Sequence, residues 1–230
     1  SDKQAQVEFN VPNTDWQHLA VTFDTITGDL ILYHNGQSVD TESNEIGSVI
    51  YTNSEAVIIG ARSNSPAYEF DGSMKNIAIW NRALTPTVIQ NVMYKTYAEV
   101  SGRLASGLVS WWALDDDYTD SKGSNNGTNS GSTLNTDLYG GDTPVIPRAI
   151  DNARTVQADA IGAGSALFDG DNDYISLGND SSLQVGTSDF SFSAWIYRTV
   201  DDGAIFSYGD IGDPLGWQIY EADVEKLYFR

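Results

Sequence analysis

The sequence predicts an all-β protein, a two-sheet antiparallel jelly-roll sandwich with one short helix. Three observations predict it. Short runs rich in β-branched and aromatic residues recur along the chain, turns rich in Gly, Asn and Asp separate them, and helical periodicity shows in one place. With 230 residues, 40% of them hydrophobic, the chain is long and apolar enough to bury a substantial core.

The first strands fall at residues 17–23 (QHLAVTF), 29–34 (DLILYH) and 56–60 (AVIIG). Thr27-Gly28 and Asn35-Gly36 supply tight turns before and after the second run. Residues 73–80 (SMKNIAIW) alternate. That pattern puts Met74, Asn76, Ala78 and Trp80 on one face and Lys75, Ile77 and Ile79 on the other. The helix comes next, with Thr85 at the N-cap, Pro86 at the first helical position, and Ile89, Val92 and Met93 as its apolar stripe. A strand follows at residues 107–114 (GLVSWWAL), where Trp111 and Trp112 must point to opposite faces.

From 115 to 164 the composition shifts to Asp, Ser, Gly, Asn and Thr, which predicts a long surface loop with one or two short strands inside it. Strands resume at 165–168 (SALF), 174–177 (YISL), 190–197 (FSFSAWIY), 204–208 (AIFSY), 216–220 (GWQIY) and 226–229 (KLYF). The last run has no turn residue to close it, so its partner strand must be sought elsewhere.

Composition excludes several classes of function. Twelve Lys and Arg stand against 32 Asp and Glu, a formal charge of −20 that repels nucleic acid and anionic membranes. The absence of Cys removes disulfides, thiol nucleophiles and Cys-based zinc sites. No apolar run approaches the ~20 residues of a membrane-spanning helix, so membrane insertion is not expected.

Three stretches carry a family resemblance. Residues 16–36, WQHLAVTFDTITGDLILYHNG, resemble the W-x-H-V-A-V-T-x-D…L-x-L-Y-V-N-G pattern of laminin-G-like domains. These belong to the concanavalin A-like lectin/glucanase superfamily, together with the pentraxins. Residues 59–84, IGARSNSPAYEFDGSMKNIAIWNRAL, resemble the end of such a domain. Residues 107–197 resemble its beginning, through G-L-V-x-x-W-x-L-D-D, D-S-x-G-x-x-x-G-T, A-L-x-F-D-G-x-x-D-Y-I and S-F-S-A-W-I.

On this resemblance the end precedes the beginning. Residues 1–100 are then the C-terminal half of a laminin-G-like sandwich, 101–106 a linker, and 107–230 the N-terminal half, completed within the chain or by a neighbouring copy. Joining the termini gives EKLYFR–SDKQAQVEFNVPNTDWQHLAV, a hairpin with residues 1–3 in its turn and 4–11 as the return strand. One period of a tandem repeat, a circular permutation and a fragment spanning two domains all accommodate that order.

The loop at 168–174, FDGDNDY, spaces the carboxylates of Asp169, Asp171 and Asp173 closely, and hard oxygen donors of this kind suit Ca²⁺. It is not an EF-hand, because Tyr174 stands where that loop needs Gly and Asp180 where it needs Glu. The resemblance implies calcium at the rim of the sandwich, with Asp71 of FDG (70–72) reaching the same rim from the domain's other end. Asp71, Asp169, Asp171 and Asp173 are therefore the candidate ligands of a structural Ca²⁺. The pentraxin pattern also places acids where Asp210 and Asp213 stand, but Ala61-Arg62-Ser63 replaces its acidic trio. Asp115, Asp116, Asp117 and Asp120 read as a solvated acidic run, with Asp120 or Asn125 as a further candidate ligand.

Catalysis finds no constellation. The superfamily's glucanases carry an E-x-D-x-x-E-type strand that sets two carboxyls ~5–5.5 Å apart, and its nearest counterpart here is Glu221, Asp223 and Glu225 in the terminal hairpin. His18 and His34 read as packing residues. The expectation is a non-enzymatic structural or adhesive repeat unit, extracellular on a cell or virion surface. It would assemble with other copies of itself into a fibre, sheath or appendage. The alternative is a calcium-assisted, lectin-like module whose partners are glycans or other cell-surface ligands.

Overall fold

The structure, a computed structural model, describes residues 7–10, 16–43, 55–62, 68–135, 164–185, 188–200, 203–209, 217–222 and 226–229. In chain order the elements begin with β1 (Val7–Asn10), β2 (Gln17–Asp24), β3 (Asp29–His34), β4 (Gln37–Glu42), β5 (Val57–Ile59), β6 (Asp71–Trp80) and α1 (Pro86–Val92). Then come β7 (Leu108–Trp112), β8 (Thr128–Ser130), β9 (Thr133–Asn135), β10 (Ser165–Asp169) and β11 (Tyr174–Ser176). The chain closes with β12 (Phe190–Arg198), β13 (Gly203–Tyr208), β14 (Trp217–Ala222) and β15 (Lys226–Phe229).

The described strands form two antiparallel sheets, the expected all-β architecture. One runs β1-β15-β14-β13-β5-β11-β8 and the other β4-β3-β2-β12-β6-β10-β9, with β7 pairing the far half of β6. Strands from the two ends of the sequence interleave. β12 lies between β2 and β6, and β5 lies between β13 and β11. β15 finds a partner in β1, with Val7 opposite Phe229 and Asn10 opposite Lys226. Between the sheets lies a core that includes Val21, Ile59, Phe168, Phe192, Phe206 and Trp217.

A second cluster covers the outer face of the eight-stranded sheet. Ile89 and Val92 of α1 pack there with Trp80, Leu84 and Trp111, each buried aliphatic side chain contributing about 1.5–3 kcal/mol. Trp112 points the other way into the inter-sheet core, so both tryptophans are buried, one on each face. Thr85 holds the N-cap position with extended backbone, but its side chain makes no capping bond. Residues 101–106 are pinned to the first half of the chain. Arg82 donates from Nε to the Ser106 carbonyl and from Nη2 to the Arg103 carbonyl, each at 2.6 Å, and Trp80 Nε1 donates to the Leu104 carbonyl at 2.9 Å.

One strand departs from simple alternation. Met74, Ile77 and Ile79 all face the core, whereas Ala78 and Trp80 face α1. The cause is a bulge. Asn76 adopts φ +49, and the register with β12 slips between Ser193 and Trp195. An extra residue on one strand reverses the parity of everything beyond it. The bulge sits where β6 changes partner, from β10 at residues 71–74 to β7 at 77–80. Asn76 Oδ1 accepts from Trp111 Nε1 at 3.2 Å, and its amide donates to the Ala113 carbonyl at 3.0 Å, which holds the left-handed residue in place.

Candidate functional site

The candidate acids gather at one end of the eight-stranded sheet, and two of them stand opposite each other in register. Asp169 closes β10 opposite Asp71, which opens β6. Thr199, just past β12, bonds to the same spot: its hydroxyl pairs with Asp71 Oδ1, and its amide donates to the Asp71 carbonyl at 3.0 Å. Gly170, at φ +77, turns the chain away from Asp71, where an added Cβ would come within 3.0 Å of the Asp71 Cβ.

The loop acids have separate tasks. Asp169 Oδ1 accepts from the Asp171 amide at 2.9 Å, a local turn that tightens the chain after β10. Asp171 is exposed and takes a 2.5 Å bond from Asn172 Nδ2. Asp173 turns inward, 6% exposed, and its Oδ2 accepts from the Asp169 amide at 2.9 Å. Burial raises the Asp173 carboxyl above the ordinary aspartate range; the bond from the Asp169 amide opposes that, and the Asp169 charge adds to it.

Calcium takes six to eight oxygens from carboxylates, carbonyls, hydroxyls and water. Asp71, Asp169 and the Thr199 hydroxyl are donors of that chemistry on one rim. Among the described residues, no three His, Cys, Asp or Glu side chains come together to hold a metal ion. A cation there would therefore draw much of its shell from backbone oxygens and water. Asp210, Asp213, Asp223 and Glu225 lie outside the described residues.

The second acidic stretch has a structural task that its sequence does not reveal. Asp120 is 6% exposed and accepts three backbone amides, with Oδ1 taking Trp111 at 3.0 Å and Lys122 at 2.9 Å, and Oδ2 taking Asn125 at 3.2 Å. Asn125 continues the network. Its Nδ2 donates to the Ser110 and Ser182 hydroxyls, and its carbonyl accepts from Trp112 Nε1 at 2.7 Å. The D-S-x-G-x-x-x-G-T stretch is thus a knot that ties a surface loop to the core through Trp112.

His18 lies on the outer face of the same sheet, whereas His34 stands opposite Leu19, on the core-facing side at the end of β3. His18 is 1% exposed, stands opposite Trp195 in register, and meets its ring edge-on at 5.4 Å. His34 Nε2 lies 2.7 Å from Gln17 Oε1. Burial lowers the His18 imidazole to about 3, with the neighbouring His34 adding to the effect, and burial lowers His34 to about 4.

Sheet order and the outer helix describe a two-sheet sandwich of the concanavalin A-like kind, and comparison with known proteins agrees. Residues 1–90 match a laminin G family model described as the concanavalin A-like lectin/glucanases superfamily. The chain is also similar to neuronal pentraxin-2 of Cavia porcellus, 26% identical over 118 residues, which covers 48% of this chain and 26% of that protein. The chain thus spans about a quarter of that relative's length. No solved structure gives a significant match. The laminin-G-like stretch supplies β1 to β6 and most of α1, and so carries Asp71, whereas Asp169 and Thr199 come from the remainder of the chain. Sequence patterns pointed to the four aspartates; Thr199, 128 residues from Asp71, follows a strand with nothing local to mark it.

Proposed function

We propose that this protein is a non-enzymatic adhesive module that works outside the cell, on a cell or virion surface, and holds glycans or other surface ligands with the help of calcium at the Asp71–Asp169 rim. The observation that carries the reading is the register itself. It sets two carboxylates from distant parts of the chain side by side at a sheet end, next to the Thr199 hydroxyl. Laminin-G-like and pentraxin-like domains are as a class extracellular binding modules that often take calcium, which supports the same reading. Asp71 and Asp169 would supply carboxylate oxygens to the ion, with the Thr199 hydroxyl, backbone oxygens and water completing its shell, while Asp173 keeps the loop folded from inside. Retention on a glycan array is expected in millimolar calcium and is expected to fall at least tenfold in EDTA or in the Asp71→Asn variant. Equal retention with calcium and EDTA would overturn the calcium part; no retention in either buffer would overturn the binding function.

A second reading, self-association into a fibre, sheath or appendage, is supported by β1. This four-residue strand ends the seven-stranded sheet and has β15 as its single sheet partner among the described strands. An edge strand can accept another strand by β-addition, and the β1–β15 seam would offer the same pairing to a neighbouring copy. Light scattering and electron microscopy are expected to show particles that lengthen with concentration and survive EDTA. A monomer at every concentration sinks this reading and leaves the first intact.

A further inference from the structure

The strand registers place a ribbon of side chains across the outer face of the eight-stranded sheet, one step inward from the acidic rim. Ser73 stands opposite Leu167 on one side and Tyr197 on the other, and Leu167 stands opposite Thr133. Their chain neighbours Met74, Ala166, Phe168 and Ile196 all enter the core, so these residues face outward. Tyr197 continues to Trp16, with ring centroids 6.0 Å apart and planes tilted by 46°. The row therefore reads Thr133, Leu167, Ser73, Tyr197, Trp16, and at sheet spacing it spans roughly 19 Å.

This row differs from the rest of the face. Where α1 and the residues after it pack down, Trp111 and Trp195 are 2% and 1% exposed. On the ribbon, Leu167 is 41% exposed, Thr133 is exposed, and Trp16 and Tyr197 are half-buried. Ser73 sits lower between them, at 9%. The Trp16 ring is held from one side by Lys75, whose Nζ lies 4.7 Å from its centroid. Two fixed aromatic rings and an exposed aliphatic side chain offer flat apolar surface. Beside them Asp71, Asp169 and Thr199 offer hydrogen-bonding oxygens one row away. Flat apolar surface beside polar acceptors matches a sugar chain, whose ring faces are apolar and whose edges carry hydroxyl donors.

Charge narrows the class. The chain carries a formal −20, which the two charges of a bound calcium ion at the neighbouring rim reduce only to −18. Uronic-acid and sulfated chains would be repelled, while hydroxyl and ammonium donors would be attracted. We infer that the ribbon is the platform on which this module binds a non-acidic glycan, neutral or amine-bearing, laid across the strands with its ring faces on Trp16 and Tyr197. The inference rests on the binding-module reading and adds both the contact surface and the chemical class of the ligand.

The test uses the full chain in calcium buffer with three probes: a chitosan oligomer, a neutral cello-oligosaccharide and a heparin oligosaccharide. Calorimetry is expected to detect the chitosan or the cello-oligosaccharide at least tenfold more tightly than heparin. Trp16→Ala and Tyr197→Ala are each expected to weaken that binding at least tenfold. Leu167→Glu, at an exposed position that the fold tolerates, is expected to weaken it severalfold, whereas Ile26→Ala, at the exposed β2–β3 turn, leaves it unchanged. Heparin binding as tight as the other two overturns the charge argument. Wild-type affinity in all three ribbon variants overturns the platform but leaves the binding function standing. Silence toward all three probes, with glycan-array retention intact, overturns this ligand class alone; silence in both assays removes the binding function as well.

Discussion

Acidification from pH 7 to pH 5 is expected to weaken the fold by about 4 kcal/mol through two histidines, His18 and His34. Both imidazoles are held far below their ordinary value of 6.5, His18 at about 3 and His34 at about 4, chiefly by burial. The unfolded chain takes up protons as pH drops through 6.5, and the native state does not. Stability is therefore complete above that value and declines as pH falls. The decline ends only when the native histidines themselves protonate, near 4 and 3. At pH 5 the gap corresponds to about 2 kcal/mol for each ring. Asp173 acts in the opposite direction, since its raised carboxyl binds a proton more readily in the native state than in the unfolded one.

The neighbourhood of His18 explains the size of the effect. Lys75, Trp195 and His18 form one cross-strand row, and all three are 1% exposed. A charged His18 would join a buried ammonium on the same row. Its Nδ1 has no hydrogen-bond partner among the described residues to share the charge. Urea unfolding at half-unit pH intervals separates the contributions. In His18→Phe the loss between pH 7 and pH 5 is expected to shrink by about 2 kcal/mol relative to the wild type. Parallel curves for the two proteins would show that His18 titrates normally and that its burial is looser than described.

How much of this was legible in the sequence depends on how local each signal is. β2 and β3 were readable because their β-rich runs end at Thr27-Gly28 and Asn35-Gly36. α1 was readable from Thr85-Pro86 and the spacing of Ile89, Val92 and Met93. The faces of β6 were not, because a single left-handed Asn76 reverses the alternation, and nothing in SMKNIAIW marks Asn76 as the inserted residue. β4 carries a polar sequence, QSVDTE, and exists as an edge strand through its pairing with β3 rather than through its own propensity. At the rim, the acids announced themselves by composition. Their division of labour did not, since it depends on Asp173 turning inward and on Asp71 meeting Thr199 across the sheet end.

Asp120→Ala is expected to cost about 3–5 kcal/mol, a large effect for a residue in an apparent surface acidic run. The carboxylate accepts from Trp111, Lys122 and Asn125, and the bonds to Trp111 and Asn125 are buried. An acceptor that bears charge contributes about 1.5–3 kcal/mol per hydrogen bond, and its removal strands amides that water reaches poorly. Gly123 packs so close that an added Cβ there would lie 2.7 Å from Asp120 Oδ2, so the loop is built around this carboxylate. Asp120→Asn keeps the shape and one acceptor oxygen but turns an amino group toward a backbone donor, and about half the loss is expected. Calcium distinguishes this framework role from a ligand role. If Asp120 held the ion, the cost of Asp120→Ala would vanish in EDTA; as a framework acceptor it costs the same in EDTA as in calcium. A loss below about 1 kcal/mol in both buffers would mean that water replaces the carboxylate freely. The loop would then not be tied to Trp112 in the way its hydrogen bonds describe.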